Sequence, residues 1–222
     1  MAIPRERRLR ELLQVLPVAD ASPVEEPPRG YWDEPFLRLG RGHGFDPHAR
    51  HYPVDHSPLM EALLSLAAPG LDGARFTQVL PGQPDVAWVG ATAFCAEEDG
   101  QGRAHRYTLR LTHGGRRFGV TFDDRSEYYN LNALLALLNA ALEPLDTPLR
   151  FFGVGDVVLL GPLEGLQQAL REGFIPGFEG EGTLEAGELD AIDAWCESGD
   201  TPESLARQLD KGRRQVHVVP VA

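Results

Sequence analysis

The sequence predicts an α+β fold in which an antiparallel sheet packs against helices. Three segments with strand character follow one another in the middle of the chain, at residues 85–96, 103–113 and 116–124. A helix over 130–143 that is apolar nearly all round comes next, and two short strands near 149–160 follow it. Three successive strands with no helix between them favour an antiparallel meander over a doubly wound parallel sheet.

The composition is that of one globular domain with small appendages. The chain has 222 residues, of which 42% are hydrophobic and 24% charged, so a sizeable core can form. The formal net charge of −12 disfavours binding of nucleic acid and favours a basic protein partner. Cys95 and Cys196 are too few and too distant for a disulfide framework. With no secretory leader and no apolar run of about 20 residues, we expect a cytoplasmic protein without a membrane partner.

The N-terminal residues 1–35 are interpreted as a helix followed by a proline-rich linker. Residues 5–16 carry leucines at helical spacing, and Pro17, Pro23, Pro27, Pro28 and Pro35 follow. A helix of about three turns is marginal alone in water, so it must dock on its own domain or on a partner. We assign residues 36–178 to an α+β core domain and residues 179–222 to a helical appendage with a terminal strand.

The hairpin at the centre of the chain has a register that the sequence specifies. Gly114 and Gly115 suit a two-residue turn, which places Leu111 opposite Phe118. One face is then apolar and should lie under the helix that carries Leu131, Leu134, Leu135 and Leu138. The residues of this face are Tyr107, Leu109, Leu111, Phe118, Val120 and Phe122.

The C-terminal region predicts two helices, at about 184–198 and 202–210, and a final strand, VHVVPV. Residues 189–216 also look like a helix-turn-helix of the DNA-binding kind. Thr201 would cap a helix with Leu205 and Leu209, and Gly212 falls where the turn usually lies. The segment that would be the recognition helix is β-branched and contains Pro220, which favours an edge strand. A DNA-binding regulator and a helical cap followed by a strand are both kept as hypotheses.

A histidine-rich segment, residues 42–58, precedes a helix that Ser57 and Pro58 begin. It contains His43, His48, His51 and His56. Their spacings of five, three and five do not place ligands on one helical face, and the prolines exclude a helix. The alternatives are a metal-binding protein or hydrolase that uses these imidazoles, and a proline-fixed structural loop. We expect the structural loop, without metal or other cofactor.

Aromatic and acidic residues cluster where the last central strand ends. Clustered carboxylates there can bind Mg²⁺ or stabilise a helix N-terminus, and adjacent tyrosines among acids are typical of a protein interface. We predict a partner-binding surface that consists of Tyr128, Tyr129, Asp124, Glu127, Arg110 and Arg117. The alternative is that both tyrosines pack inside the core.

The sequence contains no nucleophile with its base and no phosphate-binding loop. We therefore expect a non-enzymatic, acidic protein-binding module. The sequence does not specify its oligomeric state. Lys211 is the only lysine, and this preference for arginine is typical of a GC-rich bacterial genome. An immunity protein that neutralises a basic toxin, or an adaptor in a bacterial assembly, fits this composition.

Overall fold

The computed structural model describes residues 5–15, 32–47, 54–79, 92–93, 105–124, 128–176 and 201–221. The helices in these ranges are α1 (Arg5–Leu12), α2 (Glu34–Arg38), α3 (Ser57–Leu66), α4 (Leu131–Leu142), α5 (Leu163–Arg171) and α6 (Pro202–Gln215). The strands are β1 (Gly42–Gly44), β2 (Arg75–Val79), β3 (Thr92–Ala93), β4 (His105–His113), β5 (Arg116–Asp124), β6 (Leu149–Val154), β7 (Val157–Pro162) and β8 (His217–Pro220).

The strands form two sheets, which confirms the predicted α+β class. The small sheet has the order β1-β7-β6 and is antiparallel throughout. The large sheet has the order β3-β2-β4-β5-β8, with antiparallel neighbours except for the short β2–β3 pair. Helices lie against both sheets, so the layers are helix and sheet rather than sheet on sheet.

The central hairpin has the predicted register. Leu111 pairs with Phe118, and Gly114 and Gly115 adopt the positive φ angles, 55° and 71°, that the tight turn requires. The predicted inner face is buried except for Phe122, which is half-buried, and α4 packs on it. On the outer face the hydroxyls of Thr108 and Thr121 are 3.1 Å apart.

The first strand of the meander differs from the prediction. On the side away from β5, the neighbour of β4 is β2. The sequence did not indicate this strand because its buried Thr77 and Gln78 interrupt the apolar alternation. From the predicted 85–96 strand, the structure describes only Thr92–Ala93, which pairs with β2 in parallel. The other residues of that segment lie outside the described ranges.

Helix α4 is the centre of the larger hydrophobic core. Nine of its twelve residues are buried, six of them leucines, and it contacts β4, β5, β6 and α6. Full burial of each leucine side chain contributes about 1.5–3 kcal/mol relative to exposure. Asn130 caps the helix, since its Oδ1 accepts a hydrogen bond from the Ala133 amide at 3.0 Å.

Two side-chain amides close the free edge of β6. Asn139 donates to the Phe151 carbonyl at 2.9 Å and accepts from the Phe151 amide at 2.7 Å. Gln208 makes the same pair of bonds with Gly153, both at 3.0 Å. The amides imitate a neighbouring strand, so the outward-facing backbone groups of these two residues are satisfied, as buried polar groups must be. They also attach α4 and α6 to the small sheet.

The N-terminal helix docks on its own domain. Leu9 and Leu13 are fully buried in a second core, formed with α5, α6 and the opposite face of the small sheet. A Cβ atom on Gly165 would collide with the Leu12 carbonyl oxygen, so glycine permits this close approach of α1 and α5. Arg8 binds the carboxylate of Glu172 with three hydrogen bonds of 2.6–3.2 Å. The predicted linker ends earlier than expected, because α2 already begins at Glu34.

The C-terminal helix is longer than predicted. Thr201 and Ser204 form a capping box at its start, and the helix continues through Gly212 to Gln215. Gly212 lies inside the helix because it faces α4: a Cβ there would be 3.3 Å from the Cα and Cβ atoms of Ala136. The predicted terminal strand is present as β8, which pairs with β5. The predicted helix at 184–198 lies outside the described ranges.

We predict that Gln208→Met destabilises the fold by about 1–3 kcal/mol, because both backbone groups of Gly153 lose their partner. Chemical denaturation in urea measures this change. Gln215→Met, in the exposed last turn of the same helix, serves as the control and should change stability little. Equal effects of the two substitutions would show that helix propensity, rather than closure of the β6 edge, is responsible.

We predict that the Arg8–Glu172 pair stabilises the docking of α1 only above strongly acidic pH. Hydrogen bonds from Arg8 and Gln168 lower the pKa of Glu172 from 4.5 to about 2. The stabilisation is therefore complete above pH 4.5 and is lost as the pH falls through about 2. The difference in urea midpoint between the native chain and Glu172→Gln should shrink over that interval. Glu164→Gln, which removes a carboxylate from the first turn of α5, is the matched control.

Candidate functional site

The histidines of the predicted cluster have different surroundings. His43 lies in β1 opposite Val158, is half-buried, and its pKa is lowered by burial. His56 is fully buried, and both of its ring nitrogens are hydrogen-bonded. His48 and His51 lie outside the described residues. Within those residues, no group of three or more histidine, cysteine, aspartate or glutamate side chains is arranged to hold a metal ion.

His56 is part of a buried polar network. Its Nε2 accepts a hydrogen bond from the Asn130 amide at 3.1 Å, so in the neutral ring the proton is on Nδ1, which donates to Gln78 Oε1 at 2.9 Å. Gln78 donates in turn to the Val54 carbonyl, and the Val54 amide donates to the Tyr107 hydroxyl, both at 2.7 Å. The network joins the loop before α3 to β2, β4 and the start of α4, which gives His56 a structural role.

Neighbouring aromatic rings pack against Tyr129, one of the two tyrosines of the predicted partner surface. The Tyr129 ring packs edge-on against His56 and Phe45, at centroid distances of 5.9 and 6.4 Å, and its amide donates to the Pro47 carbonyl. Tyr128 is half-buried and does not belong to the hydrophobic clusters of the described residues. Internal packing thus holds Tyr129.

The other predicted contact residues are spread along the large sheet. Arg110 and Arg117 lie on its outer face, with Arg117 next to the hairpin turn. Asp124 pairs with His105 at the opposite end of β5, about 23 Å away at roughly 3.3 Å per residue. Glu127 lies outside the described residues. Arg117 therefore lies far from Asp124 along the sheet, and partner binding by these residues stays a prediction.

A cleft that the sequence did not indicate lies where α4, α6, β5 and β8 meet. Its volume is about 400 Å³. The apolar part of its wall includes Phe118, Leu209, Val216 and Val218. The charged part consists of Arg116, Arg150, Arg213 and Glu143. These residues come from β5, β6, β8 and α6 and from the C-caps of α4 and α6, so no local sequence pattern could have indicated the cleft.

The three guanidinium groups of the cleft have different partners. Arg213 lies 3.3 Å from the Glu143 carboxylate and 3.7 Å from that of Asp210. Arg150 is half-buried, and its Nη1 donates to the carbonyls of Thr147 and Leu149 at 2.9 and 2.6 Å. The pKa of Arg150 is lowered, mainly by burial. The nearby Glu143 carboxylate acts in the opposite direction, and the Arg213 guanidinium lowers the pKa further.

The remaining guanidinium, that of Arg116, is exposed and makes no hydrogen bond or ion pair within the described part of the chain. Arg116 pairs with Pro220 of β8 and lines the cleft together with Val218. The cleft therefore contains one arginine bound to acids, one held by backbone carbonyls, and one without a protein partner among those residues. Such a set can bind an anion.

Strand β8 is an edge strand with exposed apolar side chains. Val218 and Val219 are each 50% exposed. Val218 pairs with Phe118 and points to the cleft side, whereas Val219 pairs with Arg117 on the outer face. The Val221 amide donates to the Gly115 carbonyl at 2.9 Å, and in an antiparallel ladder of this register the Val218 N–H and C=O point away from β5.

The segment that the helix-turn-helix hypothesis assigns to a recognition helix, after Gly212, does not form a separate helix within the described residues. The segment after Gly212 completes α6 and then forms β8, so no second helix follows the expected turn within residues 201–221. In the described ranges, every helix also falls short of the length and apolarity that a membrane span needs.

Comparisons of this chain with protein-family models, with curated proteins and with solved structures gave no match.

We predict that Tyr129→Ala lowers stability by about 2 kcal/mol or more, because it removes the ring packed against His56 and Phe45. Tyr129→Phe, which keeps the packed ring, should cost less. Thermal and urea unfolding of both variants measure the difference. If Tyr129→Ala melted like the native chain, Tyr129 would again be available as an interface anchor.

Proposed function

We propose that this protein is a non-catalytic binding module whose protein partner adds an extended segment to the free edge of β8. The exposed valines carry this proposal. Four large hydrophobic residues are exposed in the described ranges, and three of them, Val218, Val219 and Val221, belong to β8 and the residue after it. Val219 and Val221 share the outer face, and exposed apolar residues that occur together, rather than singly, are typical of interaction sites.

The backbone of β8 supports strand addition of limited length. The outward N–H and C=O of Val218 are the groups that an added strand would bind. Pro220 has no amide hydrogen, so it shortens the usable edge and disfavours continuous pairing with many copies. Affinity would then depend on the valine side chains as well as on the backbone.

The charge near β8 favours a partner segment with acidic residues. Arg117 lies on the neighbouring strand opposite Val219, and Arg214 belongs to the last turn of the helix that precedes β8. This end of the molecule differs from the acidic chain as a whole. The net charge of −12 suggests a second, basic partner, which we propose for the remaining surface. An immunity protein or an adaptor would need surfaces that bind other proteins.

Site-specific photo-cross-linking tests this function. A photoreactive residue in place of Val219 should cross-link one partner in cells, which mass spectrometry then identifies. The same residue in place of Arg75, which is exposed on the same face of the sheet but three strands away, is the matched control. With the purified partner, Val219→Asp should weaken binding at least about tenfold, since a hot-spot truncation costs about 2 kcal/mol, and should leave the melting temperature unchanged.

Two results would contradict the proposal. The first is equal cross-linking from positions 219 and 75, or none from 219. The second is cross-linking of the chain only to itself together with a dimer in light scattering, which would assign β8 to self-association instead.

A further inference from the structure

We propose that the cleft between α4, α6 and the β5–β8 edge binds a small organic monocarboxylate with an apolar body. This site is distinct from the proposed strand-binding edge. Val218 lines the cleft, whereas Val219, the anchor for the partner, lies on the opposite face of the sheet. The proposal therefore does not depend on the proposed function.

The size and walls of the cleft suit such a ligand. A volume of about 400 Å³ lies in the range of about 300–1,000 Å³ that is usual for small-molecule sites. Phe118, Leu209, Val216 and Val218 provide an apolar surface, and Ala136 and Ala140 of α4 leave room between the helix and the sheet. An apolar body in the cleft would remove this surface from water.

Arg150 and Arg116 are the candidates that bind the carboxylate. The carbonyls of Thr147 and Leu149 hold Nη1 of Arg150, so this guanidinium is fixed before any ligand arrives. Its Nε and Nη2 donate to no protein group in the described residues and remain for a bidentate contact. The lowered pKa of the half-buried Arg150 shows that burial disfavours its charge, which an anion would offset.

Glu143 selects a single negative charge on the ligand. It lines the same cleft and is bound to Arg213, so two of the three arginines remain for the ligand. A phosphate dianion would lie close to this carboxylate and would have no use for the apolar wall. A carboxylate joined to an alkyl or aromatic group satisfies both parts of the cleft.

Calorimetric titration with decanoate tests the site, with acetate and inorganic phosphate as comparison ligands. We expect saturable binding of one decanoate per chain, and binding of acetate and phosphate at least tenfold weaker. Absence of saturable decanoate binding at millimolar concentration would overturn the proposal. Phosphate binding as tight as that of decanoate would overturn it too, because the cleft would then be a simple anion site.

Adjacent arginines on β5 provide a matched pair of variants. Arg116→Gln should raise the dissociation constant for decanoate about tenfold, the loss expected for a charge-assisted hydrogen bond. Arg117→Gln removes the same charge from the opposite face and should leave the constant within about twofold. Equal weakening by both variants would indicate unspecific attraction and contradict the proposal.

Two further variants separate this site from structural effects and from the partner surface. Arg150→Gln should abolish decanoate binding. The melting temperature of this variant shows whether loss of the carbonyl contacts has unfolded the chain. If the chain has unfolded, Arg116→Gln decides the question, because Arg116 makes no such contacts in the described residues. Val219→Asp should bind decanoate normally. If it did not, the cleft and the outer edge would form one surface, and the separate site proposed above would be wrong.

Discussion

The burial of α4 is the constraint on which the other elements depend. A helix with nine buried residues among twelve has no side that can face water, so it must be covered in several directions. The large sheet covers it with β4 and β5, the small sheet with β6, and the C-terminal helix α6 closes a third side. The close contact of Gly212 with Ala136 shows how tightly this last side is packed. Two sheets and a distant helix thus share one core.

Burial on this scale requires that the enclosed polar groups find partners, and two arrangements provide them. The amides of Asn139 and Gln208 satisfy the outer edge of β6, and the His56–Gln78 network satisfies the loop that enters α3. The two sheet edges therefore differ. Side chains of the protein close β6, whereas β8 presents Val218 outward with its backbone groups. In the described part of the chain β8 pairs with β5 alone, and the proposed partner strand would add to its other edge.

Strand β8 also explains why two proposed binding functions lie at one end of the molecule. Because successive residues of a strand point to opposite faces, Val218 and Val219 belong to different surfaces although they are neighbours in sequence. Arg116 and Arg117 follow the same rule on β5. The alternation places one valine and one arginine at the cleft and one of each on the outer face, so the two surfaces can be tested by substitutions of adjacent residues.

The sequence by itself determined the features that depend on local pattern. The Gly114–Gly115 turn and the alternation of apolar residues fixed the register of Leu111 with Phe118, and leucine spacing identified α1 and α4. Only the tertiary structure decided what depends on distant residues. Helix propensity predicts an end at Gly212, but contact with Ala136 keeps glycine inside α6. The four clustered histidines left a metal site open beside the expected structural loop, and only the structure shows that His56 is bonded to Gln78 and Asn130 inside the core. The cleft unites Arg116, Arg150 and Arg213, whose proximity arises from long-range packing that no local periodicity encodes.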